Sequence, residues 1–285
     1  MALMTPTERD PARADAPRRG VRAAAAAAVA LAAVLGVVVV MYVALETARG
    51  QDLDDRAMRV FSENGNPSAA RPLMDLLGQA TTGSAALALV VFMALALLRR
   101  GFALAAAAGV LVAGANLTTQ LLKNDLLTRP DLGHGTLNSL PSGHTTLAFS
   151  LVLAAILAAP SVLRLAATLV GAMVGTLTGA ATVVAGWHRP SDVVVAILVT
   201  VAWGAATVAV LALVTPSPAR RRARGLVLPA LIGSAVAAAL LVAWGVGPGS
   251  GPGELRAAVV ALGTVAVTSA VAIGGFARLV GRALP

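Results

Sequence analysis

The chain alternates long apolar stretches with short polar breaks, a pattern that predicts membrane-spanning helices. A helix needs about 20 apolar residues to cross a bilayer. Eight stretches meet or approach this length, at residues 21–45, 80–98, 102–122, 143–159, 162–186, 191–214, 226–246 and 255–279. The breaks between them carry glycine, proline or charge, which end helices. The sequence therefore predicts an all-α fold, a polytopic transmembrane helix bundle.

The polar segments divide the chain into three parts. Residues 1–20 are polar, contain Pro and Arg, and predict a flexible tail. Residues 21–214 hold six predicted helices, and residues 215–285 hold a basic loop and two further helices. The longest connection, residues 46–79, is predicted to contain a short amphipathic helix around residues 54–63. Its acidic residues are interpreted as a solvated loop face in preference to a divalent-cation site, because no EF-hand spacing is present.

Three glycines spaced four residues apart lie on one face of the fifth predicted helix, at Gly171, Gly175 and Gly179. Small residues in such positions let membrane helices approach closely. We interpret this face as packing inside the bundle in preference to a dimer interface, although the sequence is compatible with a homo-oligomer.

Composition supports lipid as the surrounding solvent. The chain is 58% hydrophobic and 12% charged, whereas about one quarter of an average soluble domain is charged. There is no cysteine, which excludes disulfides, thiolate metal ligands and a thiol nucleophile. The net charge of +9 does not indicate a nucleic-acid partner, because the arginines lie between apolar stretches.

The distribution of basic residues predicts the orientation in a cell membrane. If the N-terminal tail is cytoplasmic, 14 of the 22 Lys and Arg residues fall in cytoplasmic segments. Positively charged loops favour the cytoplasmic side. Both termini are therefore predicted to be cytoplasmic.

Scarce residue types collect in the connections predicted for the opposite, non-cytoplasmic side. The only lysine, Lys123, and Arg129 flank the outer end of the third predicted helix. Two such cations can hold a phosphate group, and the alternative is a pair of interfacial anchors. His134 lies in the same connection and is interpreted as a solvated loop residue.

A second candidate segment precedes the fourth predicted helix and contains Pro141, Ser142, Gly143 and His144. Proline, serine and glycine at a helix start leave backbone N–H groups at the positive end of the helix dipole, where anions bind. His144 can donate a proton to a leaving oxygen there. The alternative is an ordinary helix cap with a surface histidine.

The third segment places His188 four residues before Asp192, at the start of the sixth predicted helix. A carboxylate at this spacing can accept the Nδ1 proton and leave Nε2 as a nucleophile. The alternative is a helix cap, and Trp187 is interpreted as an interfacial anchor. The three segments together supply what phosphoryl transfer through a phosphohistidine requires.

These segments resemble the three-part signature of the type 2 phosphatidic acid phosphatase superfamily. The resemblance covers about residues 21–214 and implies a six-helix lipid-phosphatase core, followed here by a two-helix extension. It implies hydrolysis of a lipid phosphate or diphosphate at the outer interface without a metal or other cofactor. By resemblance, His188 attacks phosphorus, Asp192 orients it and His144 protonates the leaving group. The residues that the resemblance assigns to phosphate binding are Lys123, Arg129, Ser142 and Gly143.

Two departures from the signature bear on activity. Five residues separate Lys123 from Arg129, where the family has six. The third motif of the family opens with Ser-Arg, where this chain has Ala181 and Thr182. We interpret Arg189 as a replacement cation for phosphate. The alternative functions are a catalytically impaired protein that binds lipid phosphate, and a transporter built on the same helices.

Overall fold

The computed structural model describes residues 11–62, 75, 82–215, 226–249, 251 and 253–284, and all regular structure in these ranges is helical. The α-helices of the described residues are α1 Pro11–Glu46, α2 Ala48–Ser62, α3 Thr82–Arg100, α4 Phe102–Leu121, α5 Gly143–Ala158, α6 Arg164–Val184, α7 Pro190–Val214, α8 Val227–Ala243 and α9 Glu254–Ala283. A π-helical turn, Leu122–Leu126, continues α4. The prediction of an all-α fold is confirmed.

Each of the eight predicted apolar helices corresponds to one of these, namely α1 and α3 to α9. By length and composition, α1, α4 with its π turn, α6, α7 and α9 can each cross a membrane. The apolar part of α3, Ala86–Leu98, and helices α5 and α8 are shorter. Five long apolar helices are compatible with a multi-pass membrane protein.

The N-terminal helix begins earlier than the hydrophobic pattern predicts. Helix α1 starts at Pro11, so residues 11–20 of the predicted tail are helical. A run of alanines at residues 23–28 has high helix propensity, and proline is tolerated in a first helical turn. The first ten residues of the predicted tail lie outside the described residues.

The glycine face of α6 packs inside the bundle, as predicted. A Cβ atom added at Gly171 would lie 2.6 Å from Val152 Cγ1, and one at Gly175 would lie 2.9 Å from Phe149 Cε2. Both neighbours belong to α5, whereas Gly179 faces α7 and α9 in the same way. The glycines therefore let three helices approach the backbone of α6.

Helices α8 and α9, the predicted two-helix extension, pack against the other helices of the bundle. Helix α9 packs against α5, α6 and α7, and Phe276 lies so close to Gly204 that a Cβ there would be 2.9 Å from the Phe276 ring. Helix α8 lies against α6, where a Cβ at Gly233 would be 2.2 Å from the carbonyl oxygen of Leu169.

The predicted amphipathic helix in the long connection is confirmed over the described residues as α2. It contacts α1, α6, α7 and α9, so it lies across one end of the bundle. Gln51 is fully buried, and its Nε2 donates to the carbonyl oxygens of Leu45 at 2.7 Å and Pro130 at 2.9 Å. These bonds join α2 to the end of α1 and to the connection that follows α4.

Candidate active site

One cavity of about 610 Å³ brings together residues from the three segments that the sequence singles out. Lys123 reaches it from the π-helical turn, Gly143 and His144 from the first turn of α5, and His188 from the connection between α6 and α7. The remaining lining comes from α3, α4 and α5. Segments separated by more than 60 residues in sequence therefore share a single space.

His188 is held by Asp192. The distance between His188 Nδ1 and Asp192 Oδ2 is 3.1 Å, and both side chains are buried. Because an ionised carboxylate only accepts hydrogen bonds, the Nδ1 atom carries the proton in this pair. The same Oδ2 also accepts from the backbone N–H of Arg189 at 3.0 Å and from Ser139 Oγ at 2.5 Å. Three donors thus fix the carboxylate, and the Nε2 atom of His188 is left for other chemistry.

The turn that presents His188 is formed at the end of α6. Gly186 has a φ of +71°, which glycine adopts without steric cost. The backbone N–H groups of Trp187 and His188 both donate to the carbonyl oxygen of Thr182 at 3.1 Å. The Thr182 hydroxyl donates to Gly179 O within its own helix. Thr182 therefore contributes backbone geometry to the site and no charge.

Ser142 joins the second segment to the third. Its Oγ accepts from the Thr145 backbone N–H at 3.3 Å, which caps α5, and its own N–H donates to the carbonyl oxygen of Asp192 at 3.0 Å. Space is open beside Gly143, since a Cβ there would meet nothing closer than Gln120 Nε2 at 3.8 Å. The N-terminus of α5 is thereby fixed against the first turn of α7.

His144 is exposed and lies against Trp187, with 5.6 Å between the ring centroids. Trp187 is half-exposed, but its interpretation as a membrane anchor alone is incomplete because its ring contacts this histidine. His144 also lines a second cavity, an apolar groove of about 430 Å³ between α3, α5 and α6. It therefore stands where the polar cavity and the apolar groove meet.

The connection that carries Lys123 is held by Asn138. The Asn138 side chain donates to the carbonyl oxygens of Leu127 at 3.2 Å and Lys123 at 3.4 Å. A π-helical turn such as the one that contains Lys123 is rare and is frequently found at functional sites.

Arg129 is buried without a counterion bond. It is 5% exposed, and its Nε and Nη2 atoms have no hydrogen-bond partner in the described part of the chain. Burial lowers the pKa of Arg129, and the positive charge of Arg189 lowers it further, against the opposing effect of Asp54, Asp192 and Asp55. Arg129 is therefore a buried cation with unused donors, an arrangement that suits an anion.

Arg189, predicted as a replacement phosphate cation, has protein partners instead. Its Nη2 and Nε atoms lie 3.2 and 3.4 Å from Asp55 Oδ1, and its Nη1 donates to Ser139 Oγ at 3.2 Å. Neither Arg189 nor Arg129 is among the residues that line the cavity. Through Ser139, Arg189 supports the carboxylate of Asp192.

The interpretation of the acidic residues of α2 as a solvated face is wrong for Asp54 and Asp55. Asp55 is buried and pairs with Arg189 and Arg59. Asp54 accepts from the backbone N–H of Ser191 at 3.0 Å and from the Ser191 hydroxyl. Burial raises the pKa of Asp54 to about 6, with a contribution from the charge of Asp192 and opposition from the Ser191 hydrogen bonds.

His134 also departs from its interpretation as a solvated loop residue. Its Nδ1 lies 3.3 Å from Asp55 Oδ2 and 3.5 Å from Arg59 Nη2, and the side chain is largely buried. Among the residues that the structure describes, no group of three or more His, Asp or Glu side chains is arranged to hold a metal ion.

The sequence interpretation does not assign several residues to the site that the structure places there. Ser139, Asp54 and Asp55 contact the third segment across long sequence separations, which no local pattern reveals. Asn116 and Gln120 line the cavity from α4. These two have a detectable signal, because polar side chains inside an apolar helix are costly unless they serve a site or a partner.

Comparison with known proteins gives one match. The sequence model of the PAP2 superfamily matches residues 115–216. The match runs from the second half of α4 to the end of α7 and includes all three segments of the site, in agreement with the resemblance found in the sequence. PAP2 superfamily members are phosphoesterases, which supports a hydrolase of phosphate esters. No curated protein and no solved structure matches the chain.

Proposed function

We propose that the protein is a membrane lipid phosphatase that hydrolyses a lipid phosphate or diphosphate through a phosphohistidine at His188. The observation that carries this proposal is the shared cavity, where His188, fixed by Asp192, meets His144 and Lys123. A nucleophile, a proton donor and a cation in one space are what phosphoryl transfer needs.

In the first step, Nε2 of His188 attacks phosphorus and a P–N bond forms while the P–O bond to the lipid breaks. The leaving oxygen takes a proton from His144. Asp192 stabilises the positive charge that develops on the imidazole of His188. Lys123 and the N-terminus of α5 at Gly143 stabilise the negative charge on the phosphoryl oxygens. Ser142, whose N–H donates to the carbonyl oxygen of Asp192, positions that terminus.

In the second step, water attacks phosphorus and gives its proton to His144, which is now neutral. The P–N bond breaks, inorganic phosphate leaves, and His188 returns to its starting state. Every atom in both steps comes from the substrate, from water or from these side chains.

Arg129 is proposed to bind a phosphate oxygen, the role that the resemblance gives it. The Nε and Nη2 donors of this buried guanidinium have no hydrogen-bond partner in the described part of the chain. A phosphate oxygen would satisfy them through charge-assisted hydrogen bonds. In this proposal Arg189 has a positioning role through Ser139 and does not bind substrate.

The apolar groove beside His144 supports a lipid as the substrate. It follows α5 from its first turn at His144 to Ala155, with α3 and α6 as its other walls. The leaving oxygen of a lipid phosphate carries the apolar chain. A proton donor at the mouth of an apolar groove is therefore placed where such a leaving group would depart.

The test is phosphate release from lipid vesicles by the wild type and by His188→Ala. The substrates are phosphatidate, phosphatidylglycerophosphate, and prenyl monophosphate and diphosphate. Loss of the nucleophile is expected to reduce turnover of every accepted substrate on the order of 10⁴-fold. His134→Ala is the matched control, because His134 lies outside the cavity lining and this variant is expected to stay active.

A second readout follows the covalent intermediate. Rapid quenching with a substrate labelled at its phosphate is expected to leave label on the wild type and none on His188→Ala. Equal turnover by wild type and His188→Ala would remove His188 from the mechanism. A wild type that binds lipid phosphate without releasing phosphate would indicate an impaired binding protein, and solute flux without hydrolysis would indicate a transporter.

A further inference from the structure

A groove of about 920 Å³ runs along the outside of the bundle between α1, α7 and α9. Helices α1 and α9 each pack on α7 but contact one another far less, so a gap remains between them. Valine side chains from both helices form its walls, and Val21, Val267 and Val271 are each more than half exposed. The groove is thus open sideways along an apolar surface.

The groove extends to the end of the bundle opposite the candidate active site. Helix α1 lines it with residues 21–33, and α9 lines it with residues 267–283, which include its last turns. His188 lies before the first residue of α7, whereas α7 reaches the groove only with residues 197–201 near its middle. The two sites therefore lie at different ends of the molecule.

Three arginines line the groove, one from the N-terminal part of α1 and two from the last turns of α9. Arg278 and Arg282 are one turn apart on α9, and Arg22 of α1 donates from Nη1 to the carbonyl oxygen of Ala283 at 2.5 Å. The residues that line the groove, all of them described by the structure, include no aspartate or glutamate. The end of the groove is strongly cationic, and its length is apolar.

The apolar walls and the cationic end together indicate which kind of molecule the groove can bind. A soluble anion would use the arginines and leave the valine walls uncovered. An uncharged lipid would fill the walls and leave the charges of Arg278 and Arg282, which form no ion pair within the described residues, without a counterion. Basic pockets between membrane helices bind the headgroups of anionic lipids. We propose that the groove binds an anionic phospholipid of the leaflet opposite the candidate active site, with its headgroup at Arg22, Arg278 and Arg282 and its acyl chains between α1 and α9.

This lipid site has a structural consequence that is independent of the proposed catalytic activity. Helix α1 packs mainly on α7 and exposes much of its remaining surface. A lipid in the groove would contact α1 and α9 together and fill the gap between them. Binding only to the folded protein raises its thermal stability.

The experiment uses the full chain purified in a zwitterionic detergent, with phosphatidylglycerol and phosphatidylcholine of identical acyl chains as probes. Bound lipid is counted by native mass spectrometry, and Tm is followed over a lipid titration. Phosphatidylglycerol is expected to remain bound in preference and to raise Tm. Arg278→Gln combined with Arg282→Gln is expected to weaken its binding on the order of tenfold or more.

The matched control removes the same charge from the other end of the bundle, through Arg49→Gln combined with Arg256→Gln, two exposed arginines outside the groove. It is expected to keep wild-type lipid binding. Val271→Trp, which fills the apolar part of the groove, is expected to reduce binding while all three arginines remain. Inorganic phosphate is expected to leave Tm unchanged.

Three results would overturn the proposal. The control pair could weaken phosphatidylglycerol binding as much as the groove pair does, which would indicate a general surface effect. The two lipids could bind equally, or inorganic phosphate could stabilise the protein as well as the lipid does. None of these results depends on phosphate release, so they leave the catalytic proposal untouched.

Discussion

Two buried guanidiniums near the candidate active site differ in what neutralises them. Arg189 pairs with Asp55, whereas the Nε and Nη2 atoms of Arg129 have no partner in the described part of the chain. An unpaired buried charge lowers stability. Buried charges without a partner are therefore uncommon in folded proteins, and they concentrate at functional sites. Removal of the positive charge should therefore change thermal stability in opposite directions at the two arginines.

Arg129→Gln is expected to lower kcat/KM for lipid phosphate by about 10- to 100-fold, because a hydrogen bond to a charged group contributes about 1.5–3 kcal/mol. Its Tm is expected to equal or exceed that of the wild type, because the variant removes an unpaired charge. Arg189→Gln is expected to lower Tm, since breaking a buried ion pair costs about 3 kcal/mol or more. Phosphate-release kinetics and thermal unfolding of both variants measure these effects. A fall in Tm for Arg129→Gln as large as that for Arg189→Gln would show that Arg129 serves structure.

Asp54 predicts a pH dependence of stability. Its pKa is about 6 in the folded protein, against 3.8 as its ordinary value, so the folded state binds this proton more tightly than the unfolded state. The contribution of Asp54 to the free energy of unfolding therefore falls as pH rises from about 4 to about 6, and it is constant above that. The ionised side chain costs on the order of 2 kcal/mol at higher pH.

Asp54→Asn removes this titration and retains a side chain that can hydrogen-bond to Ser191. Its Tm is expected to exceed that of the wild type at pH 8, with the difference disappearing near pH 4. Thermal unfolding at both values gives the comparison. Asp52→Asn, a change on the same helix without the Ser191 contact, is the control. An Asp54→Asn difference that is the same at pH 4 and pH 8 would contradict the assignment.

At the scale of helices, close backbone contact depends on particular glycines. Helix α8 approaches α6 at Gly233, where backbone atoms of α6 occupy the space that a Cβ would need. A hydrogen bond of 2.9 Å from Thr176 to Ser234 lies beside this contact. Backbone cannot move aside as a flexible side chain can, so the contact fixes the distance between the two helices.

Gly233→Ala is therefore expected to destabilise the protein by about 1–3 kcal/mol through overpacking. Gly263→Ala is the matched control, because a Cβ at Gly263 in α9 meets nothing within 4 Å. Alanine there is expected to leave stability unchanged or raise it by up to about 1 kcal/mol. Thermal unfolding in one detergent compares the two. Equal Tm values for both variants would disprove a tight contact between α6 and α8.

Helices and their first turns follow from local sequence, whereas the contacts of α2 do not. The apolar stretches and their Gly, Pro and Arg breaks predict α3 to α9 to within a few residues, because helix length and termination are local properties. The meeting of Ser142 and His188 in one site follows from helix order in a bilayer. The pairing of Asp55 with Arg189 spans 134 positions and depends on how α2 folds back, which no local pattern specifies. For the same reason, the sequence does not reveal the contacts of His134 or of the acidic residues of α2.

At the scale of the whole molecule, the absence of cysteine allows a clean test of orientation. Leu137 lies in the connection between α4 and α5 and is 78% exposed, and Val162 lies in the connection between α5 and α6 and is 81% exposed. A single cysteine at either position would be the only thiol in the chain. Helix α5 separates the two positions, so they report opposite sides if α5 crosses the membrane.

In intact cells, a membrane-impermeant maleimide is expected to label Leu137→Cys and to leave Val162→Cys unlabelled until the membrane is permeabilised. The physical reason is the excess of Arg on the side of Val162 and of both termini. The cysteine-free parent is the background control. Labelling of Val162→Cys alone would reverse the orientation and place the candidate active site in the cytoplasm.

The position of His144 between the polar cavity and the apolar groove has a consequence for turnover. Under the proposed function, the two products would separate by different routes: the dephosphorylated lipid would diffuse sideways into the hydrocarbon layer, and the inorganic anion would escape to water. Neither departure would obstruct the other, and the enzyme would never need to lift a chain out of the membrane. Accumulated phosphate would then compete for the emptied pocket, whereas accumulated dephosphorylated lipid would be diluted into the surrounding membrane.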